Sequence, residues 1–127
     1  MKPNNSLKIV SYYQLIVGLL ILVYWILFII NNSNYSIPFI SHLVAELLTS
    51  FALLVSSYGI FKKKSWSINS TLISCGMLLY ALINILGIYI DTSNTLMSLS
   101  ISLGIVSVIG ILYIVLFSDL KLKNDAV

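Results

Sequence analysis

Four long apolar runs, set apart by short polar links, divide the chain into residues 9–30, 38–61, 65–90 and 95–118. A helix needs about 20 mostly apolar residues to cross roughly 30 Å of hydrocarbon, so each run predicts a spanning helix. The first run holds no charge, and Tyr12, Tyr13, Tyr24 and Trp25 lie toward its two ends, where aromatic rings read as interfacial anchors. Asn31-Asn32-Ser33-Asn34 supplies a turn, and Pro38 suits the first residue of the second helix, where a missing N–H breaks no bond. Lys62-Lys63-Lys64 and the capping residues of Ser65-Trp66-Ser67 then separate the second run from the third. A link this short predicts an antiparallel hairpin. Asp91-Thr92-Ser93-Asn94 provides the last turn and candidate N-caps, and residues 119–127 read as a short polar tail. The pattern therefore predicts an all-α, membrane-embedded up-down-up-down four-helix bundle, a single transmembrane domain over residues 1–127, without internal repeats or paired broken helices.

Composition sharpens this reading. With 59% hydrophobic and 9% charged residues and a mean hydropathy of +1.02, the chain lacks the polar skin of a water-soluble domain. The basic balance comes from Lys2, Lys8, Lys62, Lys63, Lys64, Lys121 and Lys123, with no Arg. All of them lie outside the apolar runs, so they read as topology signals and give no footprint for nucleic acid. Because the first and third links hold no Lys, the positive-inside rule places both termini in the cytoplasm of a multi-pass cell-membrane protein. The bilayer is then the first partner. The first run is too long for a signal peptide and lacks a cleavage motif, so it reads as retained. Asn31-Asn32-Ser33 and Asn34-Tyr35-Ser36 are sequons on the outer side, meaningful only in a host that glycosylates. Cys75 is the lone cysteine, which excludes an intrachain disulfide, a CxxC pair or a Cys-based zinc site and leaves it as a small core residue. No cofactor and no metal are implied.

Candidate chemistry sits inside the second and third runs. Ionisable side chains at bilayer depth are costly, which singles out His42 and Glu46, four residues apart on one helix. Ala45, Thr49, Ala52, Ser56 and Gly59 share their face, a row of small residues suited to close helix packing. On the third helix Asn69, Gly76, Tyr80, Asn84, Gly87 and Asp91 form a comparable stripe that is expected to point inward. At about 1.5 Å per residue, Glu46 lies roughly 12 Å below the outer start of its helix, with Asn84 and Tyr80 roughly 10 and 16 Å below the outer end of theirs. The levels match. A polar cluster of His42, Glu46, Tyr80 and Asn84 in the outer half of the bundle is expected, with Tyr24, Thr49 and Ser102 as walls. Ser100, Gly104, Ser107 and Gly110 mark a small-residue surface on the fourth helix, for a partner in this chain or in a second copy.

Ser41-His42-Leu43-Val44-Ala45-Glu46 and Gly76-Met77-Leu78-Leu79-Tyr80-Ala81-Leu82-Ile83-Asn84 resemble the second and third helices of small uncharacterised prokaryotic four-span membrane proteins, a group that implies no activity. In size, helix number and a single membrane-embedded Glu the chain is distantly similar to small multidrug-resistance exporters, but it places that Glu in the second helix. The leading expectation is a non-enzymatic membrane protein with a polar outer-half pocket for a small molecule, lipid headgroup or ion, in which Glu46 could also exchange a proton. A structural or accessory subunit, as a homo-oligomer or docked on a larger membrane partner, is the alternative. A membrane enzyme with His42 and Glu46 as acid and base comes third, because no nucleophile or metal set accompanies them.

Overall fold

The computed structural model describes residues 5–31, 37–91 and 95–124, those at 37–39, 88–89, 91 and 119–124 by backbone alone. It contains α1 (Asn5–Asn31), α2 (Ile37–Phe61), α3 (Ser67–Asp91) and α4 (Thr95–Asn124), and no strand among the described residues. Along the α1–α2 seam Ser11 meets Ser57, Gly18 meets Ser50 and Trp25 meets Glu46, an order that runs in opposite directions on the two helices. Ser56 pairs with Ser74 across α2 and α3, Leu82 of α3 lies over Gly104 of α4, and Tyr13 bonds Ser107 to close α4 on α1. The helices thus form a ring in chain order.

The α2–α3 hairpin closes through the backbone. Lys64 N–H donates to Gly59 O at 2.9 Å and Lys63 N–H to Ile60 O at 3.0 Å, the crossed bonds that satisfy the last carbonyls of a helix ending in a left-handed residue. Lys63 takes that residue's place with φ 51°, where glycine is usual. Gly59 suits its place for a different reason: a Cβ there would lie 2.7 Å from the Trp66 ring folded over it, and the ring would have to shift.

The apolar core is narrow, built around Val10, Leu53, Cys75, Leu78, Val108 and Val115. Large side chains such as Leu20, Phe51, Ile73 and Leu103 are exposed on the four flanks. In water that surface would drive association, whereas in hydrocarbon it is the ordinary outside of a bundle. All four helices are long and apolar enough to cross a membrane.

Beyond residue 118 the backbone of α4 continues as helix to Asn124. Two expectations need correction. The Asn69–Gly76–Tyr80–Asn84–Gly87 stripe of α3 does not point inward but is exposed. Thr71, Ser74, Cys75 and Leu78 hold the buried face instead, at the same helical spacing. Trp25 is no interfacial anchor, being 4% exposed against α2. The turns at 32–36 and 92–94, with their sequons and N-caps, lie outside the described residues, as do Lys2 and the side chains of Pro38, Asp91, Lys121 and Lys123.

Candidate functional site

One helical repeat on α2 brings His42, Glu46 and Thr49 to one side. Glu46 is only 9% exposed. Its Oε2 accepts a 2.6 Å hydrogen bond from the Trp25 indole N–H of α1, and its Oε1 lies 3.0 Å from His42 Nε2. That second approach falls outside hydrogen-bond geometry, and Oε1 is the buried side-chain oxygen that finds no donor among the described residues. The Trp25 ring stands edge-on to the His42 imidazole at 6.1 Å and packs on Tyr24 and Phe28, so an aromatic wall fixes the carboxyl from the α1 side.

Toward α3 the carboxyl borders a groove of about 420 Å³ that opens on the flank of the bundle. His42, Glu46, Thr49, Tyr80 and Asn84 contribute its polar atoms, while Ala45, Leu48, Gly76, Met77 and Ala81 make the rest of its lining apolar. On its other side Glu46 borders a crevice of about 70 Å³ that runs inward between Ile21, Leu78 and Leu82. Gly76 leaves the groove floor flat, and a Cβ there would meet nothing within 4 Å.

The structure brings together His42, Glu46, Thr49, Tyr80 and Asn84 on this one groove. It does not join them into a bonded cluster. Asn84 donates to Tyr80 O within its own helix, Thr49 donates to Ala45 O, and the Tyr80 side chain is 71% exposed on the rim. Two expected walls are absent from the lining. Tyr24 precedes the buried Trp25, about 100° of helix rotation away, and faces outward. Ser102 lies on α4 and donates to Ser98 O. Among the described residues no three His, Cys, Asp or Glu side chains converge.

A second polar region lies nearer the end that holds Lys8 and the lysine triplet. Gln14 of α1 is fully buried and reaches across to α3, where its Nε2 donates to Ser74 Oγ at 3.0 Å and its Oε1 faces Thr71 Oγ1 at 3.5 Å. Ser74 also pairs with Ser56 at 3.1 Å and donates to Thr71 O. Beside it Ser57 Oγ donates to Ser11 O and Ser11 Oγ to Ser57 O, a reciprocal clasp between α1 and α2. Ser50 completes the seam by donating to Gly18 O at 2.7 Å.

Sequence reasoning missed the inward role of Trp25 and, apart from Ser56, the members of this network. A signal was present: Ser11, Gln14, Gly18 and Trp25 are spaced by three, four and seven, a seam on α1 matching that on α2. The aromatic-belt reading of Trp25 hid it.

The chain belongs to the family DUF8058, described as a domain of unknown function, which matches residues 4–126. No curated protein and no solved structure matches it.

Proposed function

We propose that this DUF8058 member is a multi-pass cell-membrane protein, both termini cytoplasmic, whose α2–α3 groove binds a small molecule, lipid headgroup or ion. The orientation rests on lysines confined to one side: Lys8 and the triplet are at the same end, as the Tyr12–Phe61 ring contact requires. Glu46 is the charged or proton-exchanging group, His42 tunes it by charge or hydrogen bond, and Tyr80 and Asn84 orient what binds. The observation that carries the reading is Oε1 of Glu46, a buried oxygen that lies 3.0 Å from His42 Nε2 but accepts no hydrogen bond from any described residue, in a side chain that borders an open groove. Buried polar groups are nearly always paired, so one that no described residue bonds supports a site for an added donor.

Glu46→Gln tests the proposal, because the amide oxygen can still accept the Trp25 N–H. Loss of ligand binding, proton uptake or a growth phenotype at unchanged stability is the expected result. If all three persist, the functional role fails.

A structural or accessory subunit is the second reading, favoured by the exposure of Gly76, Tyr80, Asn84 and Gly87 on the outer face of α3. Purification in mild detergent separates the two: a stoichiometric larger partner favours docking, and a self-contained protein favours the groove.

A further inference from the structure

We infer that the groove selects an amphiphile with a primary ammonium head and an apolar body, entering sideways from the lipid. The inference rests on the ligand-binding reading above and narrows it to one chemistry.

The head is set by what Glu46 lacks. With Oε2 already taken by the Trp25 indole, an ionised Glu46 keeps Oε1, buried and hydrogen-bonded by no described residue, as an acceptor beside the groove. An anion or a pure acceptor would meet that oxygen with nothing to give. A donor with positive charge gains both the hydrogen bond and the attraction, and charge-assisted bonds are roughly twice as strong as neutral ones. A quaternary ammonium has the charge without an N–H. A primary ammonium carries three donors, one for Oε1 and others for the remaining acceptors on the rim, Tyr80 Oη and Asn84 Oδ1. The ring of Tyr80 adds a face on which a cation rests favourably.

The body is set by the rest of the lining. Leu48, Ala45, Met77, Ala81 and the bare backbone at Gly76 present carbon to the ligand. A small hydrated cation would leave this length of wall unused, and a polar solute would have to desolvate against it. Because the mouth lies on the flank between α2 and α3, a ligand with a hydrocarbon tail reaches it without leaving the bilayer. Two sources share this chemistry, a free alkylamine and an aminophospholipid.

The test uses the full chain in phosphatidylcholine nanodiscs, with Trp25 emission as reporter in a Trp66→Phe background. Dodecylamine, dodecyltrimethylammonium and dodecanol are titrated in turn. Dodecylamine is expected to give a saturable change at a midpoint at least about tenfold below the other two. Glu46→Gln should raise that midpoint about tenfold or more, and so should Gly76→Leu, which fills the groove from a position where a Cβ touches nothing. Gly87→Ala, equally free of contacts and outside the groove lining, should leave it unchanged. Equal responses to all three probes, or an amine response that survives Glu46→Gln, overturn the inference. Saturable, Glu46-dependent binding that prefers dodecanol or the quaternary ion overturns the amine assignment alone and leaves the ligand groove standing. No Glu46-dependent response to any probe counts against both. Repeating the titration with phosphatidylethanolamine in the disc identifies the source: competition points to the lipid headgroup, its absence to a free amine.

Discussion

Among the described residues each buried side-chain donor and acceptor around Gln14 is hydrogen-bonded within the chain; around Glu46 one buried oxygen, though beside His42, is not. The two regions lie on the same α1–α2 seam and draw on the same principle, a polar side chain placed between helices where hydrocarbon offers it nothing. Their outcomes differ because the Gln14 region is enclosed by three helices, while the Glu46 region is enclosed by α1 and α2 but open toward α3. A closed polar network fixes which helix packs on which, as a bond that is satisfied only in one arrangement. An incompletely bonded polar group at an opening has no such role to exhaust it. On the proposed reading the Gln14 network serves assembly and the Glu46 groove serves binding.

That assignment can be broken by substitutions on either side. Gln14→Ala should cost most, about 2–3 kcal/mol, by leaving a cavity and stranding Ser74 and Thr71. Reversible unfolding in bicelles measures it, and amine binding should persist in the molecules that remain folded. Trp25→Phe removes the indole donor from Glu46 Oε2 and is expected to cost about 1–2 kcal/mol by stranding a second carboxyl oxygen. It should also weaken dodecylamine binding, read by titration calorimetry because the emission reporter is lost, since the carboxyl loses the group that holds it at the groove. Ser56→Ala deletes one interhelical hydroxyl contact, for which about 0.6 kcal/mol is typical in membrane bundles. Glu46→Gln should change stability least, by less than about 0.5 kcal/mol, because the 2.6 Å contact with Trp25 survives in the amide. A large loss of stability in Glu46→Gln, or none in Gln14→Ala, would reverse the two roles.

Much of the fold was legible in the sequence because hydrocarbon leaves so few options. A run such as residues 38–61 has to satisfy its backbone internally, and the lysine-bearing link after it has to turn. His42, Glu46 and Thr49 were legible for the same reason, as costly or polar side chains on one helical face. The facing of α3 was not. In water the apolar arc of a helix identifies its buried side, but in lipid Leu and Ile are at home inside and out. Two arcs of α3 carried polar or small residues, and spacing alone could not choose between Gly76–Tyr80–Asn84 and Thr71–Ser74–Cys75. The choice is made by complementarity: Gln14 reaches Ser74 and Thr71 from the far side of the ring. Such a contact between α1 and α3 leaves no trace in the periodicity of either helix. Trp25 was misread by a related route, since the same indole suits a membrane interface and a buried carboxyl.

An experimental density map of the protein purified with its native lipids tests the central claim most directly. Continuous density in the α2–α3 groove, with a polar head within hydrogen-bond distance of Glu46 Oε1, is the predicted result. A groove closed by side chains of α2 and α3, with Oε1 bonded to a donor of its own chain, would contradict it.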